Sequence, residues 1–264
     1  MKKIGFIGTG NMGYPMMLGA IKAFGAANVS FSAKTEKTKE KVTKETGVAS
    51  AKDNAALIQE CDVIVLGVKP QFFHEIYGDL KKFMTPKKMI ISLAAGVTIQ
   101  NMRDEIGENI KIVRSMPNTP AMVGEGMTCV SFSDHAFTEE EKEIVDRFFT
   151  SCGRYQVIPE TLMNAAICAN GSSPAYVYMF IEALADSVVK YGIPRAMAYE
   201  LVAQTVLGSA KMVLETKEHP GRLKDNVCSP GGTTIAGVSA LEEFGFRNAV
   251  IKATDACYEK ATRL

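Results

Sequence analysis

Near its N-terminus the chain carries a short apolar run, Lys3-Ile4-Gly5-Phe6-Ile7, that leads directly into Gly8-Thr9-Gly10-Asn11-Met12-Gly13, a G-x-G-x-x-G turn with a helix-patterned stretch behind it. Glycines at that spacing restrict the backbone to few designs. The first makes a tight bend, the second lets the main chain approach a pyrophosphate, and the third lets helix and strand pack closely. Alone, the spacing also fits a glycine-rich turn without a ligand. The residues that follow favour the dinucleotide reading, because β-branched runs at 28–32, 62–68, 89–93, 110–114 and 127–132 alternate with helical stretches up to about Val157. Such alternation builds a parallel sheet covered by helices on both faces. Val63-Ile64-Val65-Leu66 and Met89-Ile90-Ile91 are continuously apolar, as central strands buried on both sides require. Helix punctuation agrees: Thr35 stands ready to cap a charged segment that stops before Gly47, and Thr138 opens a helix with Glu139, Glu140 and Glu141 in its first turn.

The end of the second strand reports on the coenzyme. An NAD enzyme presents Asp or Glu there to the ribose hydroxyls. Here the strand runs into Ser32-Ala33-Lys34-Thr35, hydroxyls and a cation where a 2′-phosphate would lie, which favours NADPH and leaves NADH possible. Lys34 also reads as one more solvated lysine in a region with Lys37, Lys39 and Lys41. Two further loops, Gly67-Val68-Lys69-Pro70 and Leu93-Ala94-Ala95-Gly96, follow buried strands at their carboxyl ends, where open α/β sheets bind ligands. Both also fit plain connections.

After Glu160 the strand signals stop, and segments from Leu162, 174–191, 194–218 and Thr234 onward read as helices. Ala175-Tyr176-Val177-Tyr178-Met179-Phe180-Ile181 is apolar nearly all round, so this helix needs a second covering surface, either a partner copy or the centre of its own domain. Between helices lies the loop Asp225-Asn226-Val227-Cys228-Ser229-Pro230-Gly231-Gly232-Thr233-Thr234. Its Pro and Gly residues turn the backbone with little obstruction, while Ser229, Thr233 and Thr234 bring hydroxyls to a helix N-terminus, an arrangement that attracts a small carboxylate. A turn followed by a threonine N-cap accounts for the same residues.

The bulk properties set bounds. With a net charge of +1 the chain lacks the basic excess expected of a nucleic-acid binder. No apolar run reaches the ~20 residues of a membrane span, and the first strand begins too early to leave room for a signal peptide. Six scattered cysteines show neither Cys-x-x-Cys pairs nor zinc spacing, so no metal is expected and a cytoplasmic location is. His74, His135 and His219 have no evident acid partner and receive no catalytic role.

With these pieces placed, the chain resembles the pyrroline-5-carboxylate reductases from end to end. The matching segments are the glycine turn, Val68-Lys69-Pro70, Ser92-Leu93-Ala94-Ala95-Gly96-Val97-Thr98, Arg114-Ser115-Met116-Pro117-Asn118-Thr119-Pro120, Ser173-Pro174-Ala175-Tyr176, His219-Pro220-Gly221, and Leu223-Lys224-Asp225-Asn226 through Thr234. The resemblance implies a Rossmann-type doubly wound parallel sheet over residues 1–160. An all-α substrate-binding and dimerisation domain would follow over 161–264, assembled as domain-swapped dimers. It implies NAD(P)H-dependent reduction of L-1-pyrroline-5-carboxylate to L-proline, the last step of proline biosynthesis. Ile7, Gly8, Thr9, Gly10, Asn11, Met12, Ser32, Asn54, Gly67, Val68, Lys69, Pro70, Leu93, Ala94, Ala95 and Asn226 match coenzyme contacts; Glu160, Thr233 and Thr234 match substrate positions. Reduction of a ring imine that carries its own proton asks the enzyme mainly to position its reactants. Thr234 is accordingly assigned to the ring nitrogen, and backbone N–H groups of Gly231, Gly232 and Thr233 to the carboxylate. One segment departs from the family pattern: Ile167 stands where many members carry threonine, in Ile167-Cys168-Ala169-Asn170-Gly171-Ser172-Ser173-Pro174. A β-hydroxyacid dehydrogenase would place a lysine shortly after Gly171 to protonate an alkoxide, and none is there. A non-catalytic dinucleotide sensor would keep the glycine turn without a use for the Pro-Gly-Gly-Thr-Thr loop.

Overall fold

In the computed structural model, which describes residues 2–263, the N-terminal apolar run becomes strand β1 (Ile4–Ile7), buried along its whole length. There follow α1 (Gly13–Phe24), β2 (Val29–Ser32), α2 (Glu36–Thr46), α3 (Asn54–Glu60), β3 (Val63–Leu66), α4 (Phe73–Phe83), β4 (Met89–Ser92), α5 (Ile99–Ile106), β5 (Lys111–Met116), β6 (Gly126–Phe132), α6 (Glu139–Thr150) and β7 (Gly153–Val157). The strands form one sheet in the order β2-β1-β3-β4-β5-β6-β7. From β1 the chain steps to β2 on one side and then to β3 on the other. This reversal opens a crevice at the carboxyl ends of β1 and β3, where ligands of such sheets bind.

Side chains alternate between two apolar layers, as the period of a strand dictates. Phe6, Val63 and Val65 join Phe31, Met16, Met17, Phe148 and Phe149 on one face, while Ile64 and Leu66 join Leu57, Ile58, Leu80 and Ile90 on the other. Each fully buried side chain of this size contributes about 1.5–3 kcal/mol. The expected caps form. Thr35 accepts from Thr38 N and α2 stops at Gly47 with φ +72°, while Thr138 and Glu141 make a capping box for α6.

The sheet is not wholly parallel, as the sequence pattern suggested. The first five strands are, but β6 runs antiparallel to β5 and β7 returns parallel to β6. The link between β5 and β6, residues 117–125, is too short for the crossover that parallel neighbours require. Strand β7 was not singled out in the sequence because its residues are half-exposed or exposed at the sheet edge, without an apolar run.

Beyond β7, α7 (Met163–Ala166) passes into a π-helical turn, Ile167–Gly171. The compact units divide after Ser172, with residues 260–263 grouped in the first unit. Met163 and Ala166 pack against Met116 and Cys129. Buried Asn170 donates to Met116 O at 2.8 Å and Met127 O at 2.9 Å, and accepts from Asn118 Nδ2 through its own carbonyl at 3.1 Å. The polar side chain beside the departure at Ile167 thereby joins the π turn to β5 and β6.

The second unit holds α8 (Ser173–Val189), α9 (Arg195–Thr216), α10 (Pro220–Val227), α11 (Thr233–Glu243) and most of α12 (Phe246–Ala261). Two details differ from the sequence reading: α10 covers 220–227, of which Asp225 to Val227 read as loop, and Gly245, at φ +74°, splits the last helix in two. The small core cluster here consists of Ala185, Ala198 and Val202. Tyr178, Met179, Leu207, Met212, Phe244 and Ile251 remain exposed. Among the described residues, no helix is long and apolar enough to cross a membrane.

Candidate functional site

At the β1–β3 crevice the three turn glycines and Gly67 divide the work. Gly8 sits at φ +93°, and a Cβ on Gly13 would lie 2.1 Å from Gly8 O. A Cβ on Gly67 would lie 2.5 Å from that same oxygen and 2.9 Å from Gly13 Cα. Turn, helix and third strand therefore converge at one point that admits no side chain. Gly10 is different: a Cβ there would meet nothing within 4 Å, so its missing side chain leaves backbone open to a ligand. Met12, the N-cap of α1, makes no side-chain cap bond, and no acid occupies the first turn. Thr9 Oγ1 is buried without a hydrogen-bond partner among the described residues. Open backbone, uncapped N–H groups and an orphan hydroxyl suit the pyrophosphate of a dinucleotide.

From the turn a groove of about 640 Å³ extends along the ends of β2 and α3, lined by Ile7, Gly8, Ser32, Lys34 and Asn54 among others. Buried Ser32 donates through Oγ to Asn54 Oδ1 at 2.6 Å. Asp53 lines the groove too, but one carboxylate oxygen is occupied capping α3, accepting from Ala56 N at 2.8 Å. Lys34 Nζ donates to both carboxylate oxygens of Glu75, at 3.2 and 3.0 Å, and lies 5.6 Å from the centre of the Phe72 ring. A neighbouring pocket of about 470 Å³ shares Thr9, Gly10 and Thr38 and adds Asn11 and Tyr14. Tyr14 donates to Glu45 at 2.7 Å, and that hydrogen bond, with burial, pushes its phenol pKa up. Glu75, Phe72 and Tyr14 went unassigned in the sequence, since only the fold brings them to the crevice.

The next two strand ends are held by main chain. Gly67 N donates to Ile7 O at 2.9 Å and Leu93 N to Leu66 O at 3.0 Å, while Ala94 N reaches Ser92 Oγ at 3.4 Å. Val68 lines the groove, Lys69 is extended before the single turn Pro70–Phe72, and Ala95 packs on the Met116 cluster.

Glu160 is less free than a substrate ligand need be. Its Oε1 accepts from Ile99 N at 2.8 Å and from Arg114 Nη1 at 2.9 Å, and Arg114 is buried on β5. The carboxylate ties the start of α5 and β5 to the turn after β7, and among the described residues its Oε2 makes no hydrogen bond. Arg114 opens the family segment Arg114–Pro120, and its anchoring of Glu160 spans too much sequence to be read locally.

In the second unit, Gly231 adopts φ +70° with open space around it, and a Cβ on Gly232 would collide with Ser229 Oγ at 2.4 Å. Gly232 N donates to Ser229 O at 3.0 Å, closing the turn before α11. The N-cap is Gly232, and no side chain caps the helix. Thr233 and Thr234 occupy the first turn, and neither hydroxyl has a hydrogen-bond partner among the described residues. The helix-cap explanation for these threonines does not hold here. Asn226 lies exposed in the last turn of α10, and His219 caps that helix through Nδ1, accepting from Gly221 N at 3.1 Å.

Two family models match parts of the chain, and relatives match its whole length. Residues 160–264 match the family model for pyrroline-5-carboxylate reductase dimerisation, and residues 3–96 match that for NADP oxidoreductase, coenzyme F420-dependent. A pyrroline-5-carboxylate reductase of Escherichia coli is 44% identical over 266 residues, covering 100% of this chain and 98% of the relative. One from Methanosarcina acetivorans is 42% identical, covering 96% of each. The crystal structure of the Plasmodium falciparum pyrroline carboxylate reductase, with NADP bound, superposes with a TM-score of 0.87 at 35% identity, covering 98% of this chain and 97% of that one.

Proposed function

The chain belongs to the pyrroline-5-carboxylate reductase family, and from that premise we infer that it reduces L-1-pyrroline-5-carboxylate to L-proline with NADPH, NADH serving as an alternative. The structural observation that carries the reading is the start of α11, where two threonine hydroxyls and an uncapped helix terminus follow an open glycine turn. When bound, the reduced nicotinamide supplies the hydride that the imine carbon accepts. The chain's own residues position and neutralise. Backbone N–H groups from Gly231 to Thr233, with the Ser229 hydroxyl, hold the substrate carboxylate. Thr234 orients the ring nitrogen, which arrives carrying its proton, so no strong acid is required. Glu160 contributes through Oε2 while Arg114 and Ile99 N fix its other oxygen. Ile7 to Met12, Ser32, Lys34, Asn54, Gly67 to Pro70, Leu93 to Ala95 and Asn226 hold the coenzyme in this reading, which assigns Ser32 and Lys34 to the 2′-phosphate.

The enzyme works as a homo-oligomer built from domain-swapped dimers, a reading supported by the dimerisation family match and by the apolar side chains that the helical unit leaves uncovered. Six cysteines without a disulfide suit a reducing cytoplasm. The deciding experiment follows coenzyme absorbance as purified protein meets L-1-pyrroline-5-carboxylate with NADPH or NADH, beside a 3-hydroxy acid with NADP+. Oxidation of NADPH with the first and no reaction with the second is expected; the reverse pattern sinks the proposal. Light scattering on wild type and on Met179→Glu, which charges an exposed apolar position, tests the assembly: a wild-type monomer would refute it.

A further inference from the structure

The cation at the end of β2 is not waiting free for a phosphate: Lys34 is already bonded to both oxygens of Glu75, whose helix follows β3. Both side chains line the same groove as Ser32 and Asn54, with the Phe72 ring beneath the ammonium. We propose that Glu75 is a coenzyme-discriminating residue, a carboxylate that competes with a 2′-phosphate for Lys34 and accepts from ribose hydroxyls when that phosphate is missing.

Two arguments support this. A 2′-phosphate brings close to two negative charges to Lys34, and Glu75 is the carboxylate it must displace or lie beside, so Glu75 opposes the phosphorylated coenzyme. The acid that NAD-binding folds place at the end of the second strand is absent from Ser32-Ala33-Lys34-Thr35, while Glu75 supplies a carboxylate to the same groove from the first turn of α4. One pair thus presents a cation to the first coenzyme and an acceptor to the second. Lys39, also in the groove, is engaged elsewhere, with Glu36 at 2.8 Å and Lys52 O at 3.3 Å, and Lys52 enters these bonds through its backbone carbonyl.

The proposal rests on the coenzyme part of the functional reading only, so its test omits the pyrroline substrate. Calorimetric titration of the full chain with 2′,5′-ADP and with 5′-AMP reads the 2′-phosphate directly, and coenzyme fluorescence with NADPH and NADH reads the whole ligand. The side chains of Lys34 and Glu75 are 77% and 40% exposed, so an exchange worth about 1 kcal/mol, roughly fivefold, is the appropriate scale. Glu75→Gln should tighten 2′,5′-ADP and NADPH about threefold to fivefold while weakening 5′-AMP and NADH. Lys34→Met should shift the NADPH-to-NADH affinity ratio the opposite way. In the Lys34→Met background the Glu75→Gln gain for phosphate ligands should change, because only direct repulsion between carboxylate and phosphate is then relieved, and a purely structural role would leave the gain the same in both backgrounds. Equal changes for both coenzymes, or an unchanged ratio in Glu75→Gln protein of wild-type Tm, would overturn the proposal. Failure to reduce pyrroline-5-carboxylate with these binding shifts intact would count against the functional reading instead.

Discussion

Glu160→Ala removes the carboxylate that pairs with Arg114, a side chain 4% exposed whose Nε already lacks a hydrogen-bond partner among the described residues. Ile99 N–H loses its acceptor in the same step. Deleting one partner of a buried ion pair costs about 3–5 kcal/mol, because the other charge is left without compensation. Glu160 is itself 31% exposed, so water offsets part of the loss and the lower figure, about 3 kcal/mol, applies. For a unit of this size each kcal/mol moves Tm by about 2–4 °C, giving a fall of about 6–12 °C. Glu160→Gln keeps an acceptor oxygen for both donors and forfeits only the charge, so it should lose about half as much. Thermal melts by circular dichroism at one fixed protein concentration make the comparison, since Tm of an oligomer depends on concentration. A Glu160→Ala protein melting within about 2 °C of wild type refutes the anchoring argument. A glutamine variant as unstable as the alanine one assigns the effect to charge alone.

Thr234→Ala should keep its circular dichroism spectrum, because the hydroxyl caps nothing, while kcat falls on the order of a hundredfold; unchanged kinetics remove Thr234 from the reaction. Gly67→Ala drives a methyl to 2.5 Å from Gly8 O, so destabilisation of about 1–3 kcal/mol in urea should accompany lost coenzyme binding. Gly10→Ala, with 4 Å of open space around its new methyl, should instead keep wild-type stability and lose affinity in a coenzyme titration. A Gly67→Ala protein as stable as Gly10→Ala would contradict the close-packing argument. Burial raises the Cys61 thiol from 9.0 to about 11, so the folded state holds its proton more tightly than the unfolded chain. Its contribution is complete below pH 9 and drains away as pH rises towards about 11, and alkylation mapped by mass spectrometry at neutral pH should find Cys61 unmodified until the protein unfolds. Early labelling of Cys61 in native protein would contradict that burial.

What was legible in the sequence was local. Gly8 needs a positive φ, Thr35 and Gly47 bracket one helix, and Val63 to Leu66 is buried on both faces, all features that neighbouring residues settle among themselves. The direction of β6 was not legible, since it follows from the reach of residues 117–125 between two strands rather than from the residues of β6. Edge strand β7 lacks an apolar signature because water covers much of it. Glu75 opposite Lys34, and Arg114 beneath Glu160, are pairings that parallel topology creates between distant segments. The turn at 229–234 was readable as a helix start, but not that its threonine hydroxyls would go unused within the chain.

The helical unit's small sealed cluster, with Ala185, Ala198 and Val202 at its heart, also bears on how the polypeptide matures. A bundle so thin in oil of its own gains most of its order from whatever surface comes to lie against it. Where a second copy supplies that surface, folding and assembly become one event, and dilution acts on the bundle as a denaturant would. Until such a surface arrives, Tyr178, Met179 and Leu207 face water. For a bundle of this kind the interval before that surface arrives is a window open to aggregation and proteolysis.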